Sequence, residues 1–327
     1  MRNKYFIFFF LFTLSLAINV DAQENCETIL KVHSNFYKGL TEEDKSTAFE
    51  MKRVYLGYKG DISDNFRAEA KLDIGSPEDQ SQYSLQRRYA YFKTAYLEYH
   101  QENLSVYFGL FAMMQFDKQE KNWGYRYITK SFMDEYNFGP SADIGVGARY
   151  KWNDYIETDI VISNGEGYKN LQSDNSYKTA FAISFFPLKN TLFRLYYDFL
   201  KKDELQSVFA AFLGYTGNDF RLGAEWNNMY NKSFISGQNL TGFSFYSTYA
   251  INDKWGIFGR YDYLSSTTQA NETLPWNIFH DGSSIISGIE YTPAKNINCA
   301  INYQDWVSMA ANGPNKSYIY FNLEFKL

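Results

Sequence analysis

The stretch Gln115 to Asp143, QFDKQEKNWGYRYITKSFMDEYNFGPSAD, concentrates charged and aromatic side chains in one link. Asp117, Lys118, Arg126, Lys130, Asp134 and Glu135 place both signs of charge in one link, interleaved with Trp123, Tyr125, Tyr127, Ile128, Phe132, Tyr136 and Phe138. Links this long are usually functional or disordered, and the aromatic content here favours packing. Opposed charges on a narrow neck create a transverse field, which orients water and dipolar solutes and filters by size and dipole more than by net charge. Electrostatic filtering by residues 115–142 folded inward is therefore the expected chemistry, with no bond made or broken. The plainer alternative is a surface loop held by its own aromatics.

Covalent chemistry finds little support. The only histidines are His33, on a charged strand face, His100, beside a tight turn, and His280, in a long link. Acid–base or nucleophilic catalysis needs such groups clustered, and no G-x-S-x-G, H-E-x-x-H or phosphate-cradling glycine loop occurs. The chain is expected not to be an enzyme; a barrel with a surface-binding, lipid-hydrolase or protease role is the alternative. The acidic runs TEEDKS (Thr41 to Ser46) and SPEDQS (Ser76 to Ser81) offer oxygen ligands for Ca²⁺, but such runs are more often solvated. No metal and no cofactor is expected. A net charge of −5 with no basic block excludes nucleic acid as a partner.

The elements that would position these charges alternate with period two. Phe66, Ala68, Ala70, Leu72 and Ile74 form one face, and Arg67, Glu69, Lys71 and Asp73 the other. The same pattern sets Arg149, Lys151, Glu157, Asp159, Arg194, Asp198, Arg221, Glu225, Arg260 and Asp262 on polar faces. Polar turns such as WNDY, GND and INDK recur between these strands, and they alternate with longer links near residues 39–46, 76–87, 115–142, 165–176, 201–205, 231–239, 266–282 and 308–316. Seven short turns and eight long links give about sixteen strands. A secreted sandwich or propeller would also alternate, but strands of about ten residues match the length that crosses a bilayer at a tilt. Aromatic residues also crowd the turn ends, as Phe66, Tyr99, Trp152, Tyr155, Phe185, Phe193, Phe220, Tyr249, Trp255, Tyr291 and Phe325 do.

The fold class expected is all-β: a transmembrane, antiparallel, up-and-down β-barrel whose polar faces line an aqueous lumen too wide for wall side chains to fill. Backbone groups in lipid must pair internally, so a first strand near Thr28 to Lys38 should close on a last strand near Ser317 to Leu327. Inward Tyr107, Phe111 and Tyr196 are read as braces for the wall, and Gln206 to Thr216, apolar on both faces, is the least regular strand. Residues 1–22 have the basic start, apolar run and small-residue exit of a signal peptide, which leaves 23–327 as a single barrel domain with no room for an amino-terminal plug. Cys26 and Cys299 leave the question of a bridge open.

The segments FEMKRVYLGYKGDISDNFRAEAKLDIG, AYLEYHQENLSVYFGLFAMMQF, IVISNGEGYKN, ADIGVGARYKW and FNLEFKL resemble the outer-membrane porins of the phosphate-selective porin O and P type. The resemblance implies a sixteen-stranded channel in the outer membrane of a Gram-negative bacterium, often a homotrimer, with a loop folded inward. The last strand is also similar to the signal read by the barrel-assembly machinery, with Leu327 where an aromatic residue is usual. Membrane lipid and lipopolysaccharide are the other expected partners. Anion selectivity requires an excess of Arg and Lys along the path, whereas the candidate lumen faces mix both signs. A general passive channel for small hydrophilic solutes and ions is thus expected, rather than a phosphate-selective one.

Overall fold

The computed structural model describes residues 26–75 and 90–327; the expected signal peptide and the SPEDQS run lie outside the described residues. The chain opens with β1 (Cys26–Gly39), β2 (Thr47–Ser63), β3 (Phe66–Ile74), β4 (Ala90–Gln101) and β5 (Leu104–Ala112). The long link follows, carrying the short helices α1 (Asp117–Trp123) and α2 (Phe132–Glu135). Next come β6 (Ala142–Lys151), β7 (Ile156–Ser163), β8 (Lys178–Phe185), β9 (Thr191–Lys201), β10 (Leu205–Thr216) and β11 (Phe220–Tyr230). The wall is completed by β12 (Leu240–Ala250), β13 (Trp255–Ser266), β14 (Gly282–Ala294), β15 (Ile297–Ser308) and β16 (Lys316–Lys326).

Each strand pairs antiparallel with its sequence neighbours, and β1 pairs with β16 from Lys31 opposite Lys326 to Gly39 opposite Tyr318. The closed, sixteen-stranded barrel expected from the turn count is therefore the observed fold. Closure leaves no sheet edge to face lipid unpaired. The tight turns are built by the Asn residues that mark them in the sequence. Asn153 Oδ1 accepts the Tyr155 N–H at 2.8 Å, and Asn252 Oδ1 accepts those of Lys254 and Trp255 at 2.9 and 3.0 Å. Asn190 and Asn296 take left-handed backbone, with φ of 65° and 68°.

The outer face is apolar, as Phe49, Phe108 and Ile301 show at 87, 72 and 61% exposure. Rings pair near the turn end of the barrel: Phe66 with Tyr99 at 5.2 Å, Phe185 with Phe193 at 6.2 Å and Trp255 with Tyr291 at 4.5 Å. Cys26 and Cys299 are both free thiols.

The core lies inside the barrel. Trp123, Phe132, Met133 and Phe138 of the long link are fully buried there, and Ile128 nearly so. Phe111 and Tyr196 are buried against the same link, with Tyr107 packed beside them. The link also explains β10, whose inward Val208, Ala210 and Phe212 are covered by protein while Leu213 faces outward. Inward glycines on facing strands leave the volume these rings occupy. A Cβ on Gly242 would collide with the Phe132 ring, and one on Gly223 with the Tyr246 ring. Gly242→Val is expected to cost about 1–3 kcal/mol by overpacking, measured as a lower unfolding temperature in detergent. A neutral result would show that Phe132 is not anchored there.

Candidate functional site: the neck of the barrel

The long link leaves β5 at the loop end of the barrel and runs deep into the lumen before returning. The amino-terminal part of α1 ties to β6 and β7, with Asp117 3.0 Å from Arg149 and Lys118 2.7 Å from Glu157. At the far side of α1, Asn122 Nδ2 donates to Thr216 Oγ1 at 2.9 Å, beside the β10–β11 turn. Gly124, at φ 75°, supplies the left-handed residue that ends the helix. The chain then crosses to β13, β14 and β16. Tyr127 Oη donates to Glu290 at 2.7 Å, Asn322 donates to the Tyr127 carbonyl at 3.3 Å, and Arg260 donates to the Lys130 carbonyl at 2.6 Å. Tyr136 Oη donates to Asp262 at 3.2 Å before the link rejoins the wall.

Two aromatic clusters lock this path. Trp123 sits 5.1 Å from Tyr246 and 6.2 Å from Phe258, while Phe132 lies 4.6 Å from Tyr136 and 5.7 Å from Phe138. Together they pack against inward residues of the wall from Val161 on β7 to Ile286 on β14.

This packing sorts the interior charges. Arg149, Asp159 and Arg194 form one chain of contacts at 2.5 and 2.6 Å, Lys178 meets Asp198 at 2.6 Å, and Arg260 meets Asp262 at 2.6 Å. Glu225 is buried beside Asn227. Thus Asp159, Arg194, Asp198, Glu225, Arg260 and Asp262 face inward, as period two requires, yet lie sealed under the link. Arg149 and Glu157 brace α1 instead. Arg67, Lys151 and Arg221 stand toward the turn end: Arg67 is 2.7 Å from Asp61, Lys151 is 2.7 Å from Asp154, and Arg221 lies over the Tyr125 ring at 5.4 Å.

The remaining space follows β1–β4 on the opposite wall. An outer cavity of about 380 Å³ is lined by His33, Lys52, Arg53, Lys130, Glu135 and Tyr320, among others. An inner cavity of about 200 Å³ is lined by Lys31, Tyr55, Lys71, Lys93, Asp117 and Glu120, among others. Arg126 lines both, so its guanidinium stands at the neck between them. It is held 2.6 Å from Asp134 and 2.8 Å from Glu120. Burial opposes ionisation of Asp134, but Arg126 and Lys130 hold its carboxyl below the ordinary value. Asp117 is likewise held low against its burial, by Arg149 and Arg194. Asp117 and Asp134 thus stay charged and keep their cations in place.

Carboxylates on the passage wall are engaged locally. Asp73 is 3.4 Å from Arg53, and Glu69 is 2.8 Å from Lys71 while accepting from Thr94 at 2.6 Å. Among the described residues, Glu135 is the one carboxylate lining the outer cavity, against Lys52, Arg53, Arg126, Lys130 and Lys169. Of the residues expected to line the lumen or the constriction, Lys71, Asp117, Arg126, Lys130 and Glu135 border one or both of these cavities. Lys31, Lys52, Arg53, Lys93 and Lys169 were not singled out in the sequence. Two of these sit on bulges: Lys52 is the extra residue in the register between Met51 and Arg53 opposite β1, and Lys93 that between Phe92 and Thr94 opposite β3. Lys93 reaches Ser141 and the Tyr168 ring, 4.1 Å away. Alternation alone would put such residues out of phase with their neighbours.

The histidines stay apart. His33 is on β1, 3.0 Å from Glu324, whereas His100 ends near the β4–β5 turn and His280 lies between β13 and β14.

No family model and no curated protein matches the sequence. Solved structures match over nearly the whole chain. Pseudomonas putida OprB aligns with 94% of this chain and 95% of its own, at a TM-score of 0.71 and 10% identity. The anion-selective porin from Comamonas acidovorans covers 92% and 99%, at 0.69 and 9%. The trimer form of OmpT, an outer membrane protein of Vibrio cholerae, covers 92% and 99%, at 0.62 and 12%. At these identities the likeness is one of fold: it bears out the porin architecture and carries nothing about phosphate selectivity.

Proposed function

We propose that the chain is an outer-membrane channel that lets small hydrophilic solutes and ions diffuse passively, with anions favoured over cations. The observation that carries this reading is the pair of cavities meeting at Arg126, with a cation-rich wall along β1–β4. The mixed signs of the sequence argue against such a preference only while every inward charge is counted. Most of the opposing carboxylates are neutralised by partners under the link, and the field along the remaining path is positive. The apolar outer band, the rings near the turn end and the likeness to outer-membrane porins support the location. Assembly as a homotrimer, recognition of the β16 strand by the barrel-assembly machinery and contact with lipopolysaccharide belong to the same proposal. The enzyme or surface-binding alternative lacks a histidine cluster to build on.

The test is a planar bilayer with protein refolded in detergent, under a KCl gradient. Discrete conductance steps and a reversal potential on the chloride side are expected. Absence of steps, or a cation-selective potential, would refute the reading. Hydrolysis of lipid or peptide by the same preparation would favour the alternative.

A further inference from the structure

The loop between β7 and β8, which opens with NGEGYK at residues 164–169, also folds toward the passage. Gly165 and Gly167 take left-handed backbone, with φ of 91° and 82°, and turn the chain back over the end of the long link. The Gly165 N–H donates to Asp143 Oδ2, and the Tyr168 N–H to the Ala142 carbonyl at 3.0 Å. Lys202 staples the same loop, 2.9 Å from Glu166 and 2.8 Å from Asp174. Tyr168, fixed in this way, reaches β3 and β4. Its Oη donates to Asp73 Oδ2 at 2.9 Å, and its ring lies against the Lys93 ammonium, 4.1 Å from the centroid.

These two partners carry opposite charges, yet they are not paired. Asp73 is fully buried and Lys93 is 6% exposed. Asp73 has Arg53 3.4 Å from its other oxygen. Lys93 has no carboxylate at ion-pair distance among the described residues and holds the Ser141 hydroxyl and the Tyr168 ring instead. Buried charges that touch one side chain attract strongly. The phenol answers each separately, with a hydrogen bond for the anion and a π face for the cation.

We infer that Tyr168 is a positioning residue of the channel: it keeps Asp73 and Lys93 apart, so that Lys93 presents an uncancelled positive charge to the inner cavity beside Arg126. The inference rests on the channel reading and extends the control of ion preference from the long link to a second loop. With the phenol removed, Lys93 swings onto Asp73, and a cation leaves the inner wall.

The test is bilayer recording of the whole barrel under a KCl gradient, run as a double-mutant cycle. Tyr168→Leu should lower the anion-to-cation permeability ratio about threefold, the scale of one charge withdrawn from the path, and Lys93→Met should lower it equally. Tyr168→Phe keeps the ring but leaves Asp73 Oδ2 without its donor. It should lower the ratio about 1.5- to 2-fold, and it preserves the packing of the loop should the leucine variant not assemble. In an Asp73→Asn background, where Lys93 has no anion to move to, Tyr168→Leu should leave the ratio unchanged. A tyrosine that merely braced the loop would give the same result in both backgrounds. That outcome, or an unchanged ratio in Tyr168→Leu and Tyr168→Phe, would overturn the inference while the channel reading stands. A wild-type barrel without conductance steps refutes both.

Discussion

Replacing residues 117–138 with a short glycine–serine linker is expected to raise single-channel conductance about three- to tenfold. A sixteen-stranded wall is wide enough to leave an aqueous lumen once its contents are removed, and this segment is what fills it. Trp123, Tyr127, Ile128, Phe132 and Phe138 are nearly or fully buried inside the barrel, so deleting them reopens the space along β6–β14. The strand ladder, paired from β1 round to β16, does not depend on the link. The variant should therefore still form a barrel. Burial of each large apolar side chain contributes about 1.5–3 kcal/mol, so the shortened barrel should unfold at lower temperature. Unchanged conductance in a folded variant would mean that the link does not form the neck.

The second large effect concerns charge. Arg126→Gln combined with Lys130→Gln should move the reversal potential far toward the cation side, changing the anion-to-cation permeability ratio by about tenfold or more. A unit charge about 4 Å from an ion is worth about 1 kcal/mol in bulk water and about 4 kcal/mol at an effective dielectric constant of about 20. The neck lies between these limits. The substitutions also leave Asp134 and Glu120 without their Arg126 contact, so negative charge appears where positive charge was balanced. Arg194→Gln is the informative control. Arg194 is 1% exposed and held by Asp159, Ser184 and the Met114 carbonyl. Breaking a buried pair on one side typically costs about 3–5 kcal/mol, so stability should fall while ion preference holds. An unchanged reversal potential in the Arg126–Lys130 variant would remove the link from the path.

The sequence by itself determined the wall. Period two in Phe66 to Ile74 and the Asn-rich turns are local signals, because a strand's faces and a turn's hydrogen bonds form within a few residues. From these, the strand number and the closure of β1 on β16 follow by counting and by the cost of an unpaired edge in lipid. The aromatic content of residues 115–142 also marked them as a segment able to pack inside.

Which charges meet water was decided by the tertiary structure alone. Arg194 and Arg53 are both inward-facing cations, yet the link covers one and leaves the other on the cavity wall. Lys52 and Lys93 reach the cavities through bulges, and a bulge depends on how two strands pair rather than on either strand's own pattern. Alternation fixes the side of the wall on which a residue stands, and only long-range packing fixes what stands in front of it.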